Sequence, residues 1–310
     1  MAADDRSSFA GTGLLWDAAA RWRALVLARR AQFERLRTDG PDPAAYWRRR
    51  APNYYAAAKA RTGLDAFVRA VLAACDESES VDARWATGAE PVPATVLDVG
   101  GGFGAVAIPV ARTGRRVTVV EPHPSMLELL GEWAAQVRVS DRIRVVQAPW
   151  PLAAPGSERH DVVVCSHVLY PIDDVVPFVE ALLAAARRAC LVTLRLAGIE
   201  QAPAALFREL HGEDPVPQPG FGDLCAVLAQ LGLPFETTTY ESETTWSYAD
   251  LDEAVTALAE TLLAVERPGA AERVRAWAQA TLVEEGGRLV APRRRTMSGV
   301  ATLRAQAVRS

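Results

Sequence analysis

Asp98, a run of glycines and Glu121 are the residues of this sequence best suited to act together in chemistry. Asp98 stands two places before Gly100 in Gly100-Gly101-Gly102-Phe103-Gly104. Glu121 closes the next apolar run about 20 residues past the first glycine. Glycines allow a tight turn and close backbone approach to a ligand, and free amides at the start of the following helix favour an anionic group. A carboxylate at the end of the neighbouring strand can accept both hydroxyls of a ribose. Gly100-x-Gly102-x-x-Ala105 also has the spacing of a dinucleotide fingerprint, which keeps a nicotinamide-dependent NAD(P) oxidoreductase as an alternative. Asp98 argues against it. Beside a pyrophosphate it would add negative charge where negative charge must be bound, whereas it suits a ligand carrying an amino group.

The elements that position these residues are a strand through Val96–Val99, an apolar helix, and a second strand through Val117–Val120. The stretch Leu97-Asp98-Val99-Gly100-Gly101-Gly102-Phe103-Gly104, with Glu121 and the following Pro122-His123-Pro124, resembles motif I and the acidic second motif of class I S-adenosylmethionine-dependent methyltransferases. The resemblance implies S-adenosyl-L-methionine as cofactor, S-adenosyl-L-homocysteine as product, and cofactor contacts at Asp98, Gly100, Gly102, Gly104, Glu121 and Pro122. In that family an acid often follows the third strand and accepts the adenine amino group. Here Ala148 takes the place, leaving the contact to backbone or to Gln147. Trp150 is either an adenine-stacking face or a core tryptophan. Tyr46-Trp47-x-x-x-Ala51-x-x-Tyr54 resembles the segment that closes over the methionine end of the cofactor, with Tyr54 the candidate and Tyr46 the weaker one.

The fourth strand, His160–Cys165, is apolar and expected to be buried on both faces. Its end, Cys165-Ser166-His167-Val168-Leu169-Tyr170, lies where ligands sit in parallel sheets. Resemblance places the transferred methyl beside this loop, with Ser166 at the cofactor. Methyl transfer is an in-line displacement for which alignment supplies much of the acceleration. A base is required only if the nucleophile must lose a proton. His167 is the best-placed base, Tyr170 a candidate to orient the acceptor, and His211 comes second to His167. His123 and His160 read as structural. Asp173 and Asp174 lack a third ligand and read as the start of a helix, so no metal site is expected.

The 310 residues are 50% hydrophobic and carry a formal charge of −4, which gives no support to a general polyanion binder. Lys59 is the sole lysine, and the four cysteines are scattered with no CxxC pair, so neither a disulfide framework nor a zinc site is indicated. No basic-then-apolar leader and no apolar run of about 18 residues is found, which reads as a cytoplasmic protein without membrane contact. Residues 1–92 are expected to form an N-terminal helical extension or cap. Its arginines read as the solvated face of amphipathic helices, with an RNA-docking surface as the alternative. Residues 93–310 are expected to form the catalytic domain, with a helical lid inserted at about 197–219. The fold expected is α/β: a doubly wound, mostly parallel, seven-stranded sheet of the class I methyltransferase type. Phe235–Tyr240 reads as a strand, helices follow at about 248–265 and 270–284, and Arg288–Val290 with Arg295–Leu303 are expected to supply an antiparallel edge strand.

The Asn-Pro-Pro-Tyr sequence of amino-methylating nucleic-acid enzymes is absent, as is a Pro-Cys nucleophile. Transfer to a small organic acceptor through an O-, N- or C-nucleophile is the function expected. An RNA methyltransferase and a cofactor-binding protein without catalysis are the further alternatives.

Overall fold

The computed structural model describes residues 17–37, 43–59, 63–78, 93–152, 158–197 and 203–304. Tyr46 and Trp47 have side chains outside that description, as do the tip of the expected lid at 198–202 and the segment 79–92. Strands β1 (Thr95–Val99), β2 (Arg116–Val120), β3 (Ile143–Val146), β4 (His160–Ser166) and β5 (Ala186–Arg195) run parallel. Two more, β6 (Phe235–Thr244) and β10 (Arg294–Arg304), complete one seven-stranded sheet of order β3-β2-β1-β4-β5-β10-β6. The antiparallel strand is therefore not at the edge. β10 pairs antiparallel with both β5 and β6, and β6 takes the outside position. Arg288–Val290 does not join it; as β9 it pairs with β7 (Ser247–Tyr248) and β8 (Val283–Glu285) in a separate three-stranded sheet.

Alternation along the strands divides the core into two faces. Leu97, Val99, Val163 and Cys165 point to one, with α6 (Val175–Ala185) and α8 (Phe221–Gln230) over them. Val96, Val162, Val164 and Leu191 point to the other, under α3 (Ala66–Ser78), α4 (Ala107–Arg112) and α5 (Pro124–Gln136). Strands covered on both sides read as near-continuous apolar runs, as β1 and β4 do.

The N-terminal helices are divided between these layers. In α1 (Ala18–Leu36), Trp22 is fully buried among the first set, and its indole N–H donates to the Ile172 carbonyl at 2.7 Å. Phe67, Val68 and Val71 of α3 belong to the second set. Between them α2 (Pro43–Lys59) lies against α5, where Tyr55 meets Phe103 and Trp133 edge-on at ring separations of 5.9 and 5.8 Å. A third apolar cluster unites α7 (Ala204–His211) with α9 (Leu251–Thr261) and α10 (Ala270–Thr281). The insertion after β5 thus packs against a second one, between β6 and β10, whose helices carry no sign of this role in the sequence. Among the described residues no helix is long and apolar enough to cross a membrane.

Candidate active site

The carboxyl ends of β1, β2, β4 and β5 open into one cleft of about 2250 Å³. At its inner end Asp98 is 1% exposed, and among the described residues neither carboxylate oxygen has a well-formed hydrogen bond. Burial, reinforced by the nearby Glu121 charge, pushes its carboxyl up to about 7; the Ala107 amide opposes this only weakly. A buried carboxylate without a donor is costly, so its environment is matched to something the folded chain does not itself supply. Glu121 is 5% exposed but satisfied: one oxygen accepts from the Gly102 amide at 3.1 Å and the other from the His123 amide at 3.0 Å. Burial raises its carboxyl too, with the two amides pulling the other way. Each oxygen keeps lone pairs for a further donor.

The glycines divide the labour between them. Gly102 (φ +53°) lines the cleft, and a Cβ there would meet only the Met126 sulfur, at 3.8 Å. Gly100 (φ +69°) also lines it, while its Cβ position falls 2.4 Å from a Val168 methyl. Gly104 (φ +90°) does not border the cleft: a Cβ would sit 2.4 Å from Leu130 and 2.9 Å from Ile108. Its expected role as a cofactor contact gives way to one in packing helix α4 against α5. Ala148 likewise stands off the cleft, its amide turned to the Val146 carbonyl at 3.1 Å. Pro122, Trp150, Ser166 and Tyr54 all border the cleft. Trp150 does so while packing on Phe178, at 6.5 Å between rings, so both of its expected roles have a basis. Tyr54 meets Trp246 edge-on at 5.0 Å, which joins α2 to the segment after β6. That contact had no signal in the sequence.

His167 (φ +59°) and Tyr170 form one unit at the end of β4. His167 Nδ1 lies 3.0 Å from Tyr170 Oη, and that oxygen accepts from the Arg195 amide at 2.9 Å. Burial raises the Tyr170 hydroxyl above its ordinary range, so it stays a neutral phenol. Two tautomers satisfy the pair. Either the phenol donates to Nδ1 and Nε2 carries the ring proton, or Nδ1–H donates to Oη and Nε2 is the acceptor nitrogen. His211 lies elsewhere. Its Nε2 donates to the Leu262 carbonyl at 2.6 Å, and its Nδ1 faces an Arg267 nitrogen at 3.2 Å, so it ties two insertions together rather than lining the cleft. Asp173 pairs with Arg30 at 3.4 Å, and Asp174 holds the N-cap position of α6 without a side-chain capping bond. Among the described residues no cluster of three metal-ligating side chains is present.

The large sheet, mostly parallel with one antiparallel strand and covered by helices on both faces, is the fold of class I methyltransferases. Residues 96–190 match the family model described as methyltransferase domain. Over 103 residues the chain is 35% identical to the ubiquinone biosynthesis O-methyltransferase of Methylobacterium sp. (strain 4-46), a stretch that covers 32% of this chain. That match takes in 40% of the curated relative's length. Among solved structures, magnesium protoporphyrin IX methyltransferase from Synechocystis PCC 6803 with bound S-adenosylhomocysteine aligns with 92% of this chain and 99% of its own, at 13% identity and a TM-score of 0.44.

The residues present fit S-adenosylmethionine as cofactor. Asp98 is an orphaned anion that an ammonium would complement, Glu121 has lone pairs for sugar hydroxyls, and Gly102 leaves backbone open to close approach.

Proposed function

We propose that this protein transfers a methyl group from S-adenosylmethionine to a small organic acceptor. One observation carries the reading: a buried, unpartnered carboxylate and a second, amide-held one share a single cleft with a positive-φ glycine bend between them. When bound, S-adenosylmethionine supplies a methyl already activated on a sulfonium. Asp98 would take the ammonium, Glu121 the ribose hydroxyls, and Trp150 and Pro122 the walls around the adenine. Tyr54 on α2 would close the methionine end, held in place by Trp246. His167 would accept a proton from a hydroxyl or phenol acceptor through Nε2, with Tyr170 and the Arg195 amide fixing the ring. Nδ1–H of His167 would then donate to Tyr170 Oη, so Tyr170 is a positioning residue that orients the ring, and burial keeps its own phenol protonated.

Residues 1–92 and the insertion around 197–219, together with the helices after β6, would form the cap that excludes water from the acceptor end. An RNA-facing role for the N-terminal arginines draws less support. On α1, Arg21 pairs with Asp223, Arg30 with Asp173 and Arg35 with Glu213, so three are engaged within the chain. Titration with S-adenosylhomocysteine and with NADPH tests the function: micromolar binding of the first alone is expected, and binding of the nicotinamide alone would remove the proposal.

A further inference from the structure

Arg195 ends β5 and lines the cleft, and it is held differently from its neighbours. Its Nη1 donates to the hydroxyls of Ser242, Thr296 and Ser298, on β6 and β10. Among the described residues no carboxylate pairs with this guanidinium, whereas Arg30 and Arg295, on the same cleft, pair with Asp173 and Glu241. Among the described residues every hydrogen bond that this side chain makes is through Nη1. Nε–H and Nη2–H form the opposite edge of the planar group, two parallel donors at the spacing of a carboxylate's two oxygens. Three hydroxyls on Nη1 fix the plane in advance, so little ordering is left for a ligand to supply.

The wider field agrees. Seven arginines line the cleft against five carboxylates, and two of those five, Asp98 and Glu121, belong to the cofactor end. With Arg30 and Arg295 neutralised by Asp173 and Glu241, five arginines face Glu34, Asp65 and Glu243 in the remainder of the cleft, a balance that favours anions. The strand end that carries this guanidinium also places its amide on Tyr170 Oη, and through it on His167.

We propose that the methyl acceptor carries a carboxylate, held side-on by Nε–H and Nη2–H of Arg195, with its nucleophile turned toward His167. This rests on the methyltransferase reading above and adds the class of its substrate. The test uses the full-length protein saturated with S-adenosylhomocysteine. Benzoate and the three hydroxybenzoates are the probes, each against its neutral amide, with binding followed by calorimetry and ligand-observed NMR. At least one acid binds, and its amide binds at least tenfold more weakly. Arg195→Lys keeps a positive charge but loses the fork, and lowers the acid's affinity roughly tenfold or more while S-adenosylhomocysteine still binds. Acids and amides that bind alike, no acid that binds, or a lysine variant that holds the acid as the wild type does would each overturn the proposal. If the wild-type protein does not take up S-adenosylhomocysteine, the methyltransferase reading itself fails; uptake without preference for acids removes the carboxylate alone. Should the lysine variant unfold, the acid–amide ratio on the wild-type protein decides.

Discussion

The two ends of the cleft are built on opposite principles. The cofactor end is made of consecutive backbone: β1, the glycine bend and the end of β2 bring Asp98 and Glu121 together within one βαβ unit. The acceptor end is assembled from distant pieces, with Arg195 bonded to hydroxyls 47, 101 and 103 residues away. The first end tolerates a buried charge with no side-chain partner, while the second pins one nitrogen of its cation with three hydroxyls of the chain and leaves the other edge for a ligand. A site that holds one invariable ligand can store an electrostatic deficit for it. A site that must admit a particular acceptor is shaped instead by separate strands brought around a cation.

The sharpest way to break this comparison is Asp98→Asn. An ammonium bound to the carboxylate is a charge-assisted contact of about 1.5–3 kcal/mol, so affinity for S-adenosylhomocysteine should fall roughly 10- to 100-fold. The empty protein should become more stable. Because the Asp98 carboxyl is raised to about 7 from an unfolded value near 3.8, the folded state binds the extra proton. Stability from this group is full below 3.8 and lost as pH rises through 7, so at pH 8 the wild type carries a penalty on the order of a few kcal/mol that Asn lacks. Calorimetric titration and thermal melts at pH 8 check both signs. The same titration predicts that wild-type affinity weakens as pH falls below about 7. Equal melting temperatures with undiminished binding would mean that Asp98 is not the charge deficit described here.

Gly102 and Gly104 sharpen the comparison within the cofactor end. Gly104→Ala places a methyl against Leu130 and Ile108 at positive φ, and should cost roughly 2–4 kcal/mol of stability. Gly102→Ala meets only the end of the Met126 side chain at ordinary contact distance, so its stability loss at positive φ is about 1 kcal/mol. Its methyl projects into the cleft, however, and should lower S-adenosylhomocysteine affinity tenfold or more. Denaturant unfolding beside binding isotherms separates the two. If both variants lose stability alike and bind alike, the glycines are not divided between packing and ligand approach.

This pair also shows how far the sequence could be read. Asp98, the glycine run and Glu121 were legible because their arrangement is local, set by spacing within one unit. Which glycine touches ligand and which touches helix was not, since that depends on Leu130 and Val168 arriving from other elements. The doubly wound, mostly parallel sheet followed from alternation of strands with helices. The interior place of β10 did not, because an antiparallel strand and an edge strand carry the same alternating pattern. Nothing in the local sequence marked Arg195. An arginine at a strand end is ordinary until Ser242, Thr296 and Ser298 pin one of its nitrogens. His211 was placed second as a base because a histidine in a lid looks catalytic; its partners Leu262 and Arg267 lie in an insertion whose packing the sequence did not disclose.

Tyr170→Phe tests the acceptor end with a smaller change. The ring stays, but the Arg195 amide loses its acceptor and His167 its partner. A buried donor left unmet costs about 1–3 kcal/mol of stability. With an acceptor that must lose a proton, kcat should fall roughly tenfold, with KM little changed and the pH–rate profile displaced. An unaltered profile would reduce Tyr170 to a packing residue.

His211 offers the smallest effect, and it addresses whether the cap is held by itself or by the cofactor end. Its ring lies tilted against Phe207 at 4.5 Å and bridges α7 to the segment after α9, so the contact joins two insertions without reaching the cleft. Burial, aided by the Arg267 charge, lowers its proton affinity, while the Leu262 carbonyl acts in the other direction. A histidine depressed on folding contributes stability in full above its unfolded value near 6.5, and that contribution is lost as pH falls through the folded value. Protonation also sets a second N–H against Arg267. His211→Gln keeps a donor for the Leu262 carbonyl but cannot titrate, so it should cost about 1 kcal/mol at pH 8 and flatten the acid limb of stability. Hydrogen exchange at pH 8 and pH 5.5 should show faster opening of residues 204–211 and 262–267 in the wild type at the lower pH, with β1 and β4 unaffected. If exchange quickens equally in β1, the cap and the cofactor end open as one unit, and the division between them does not extend to their dynamics.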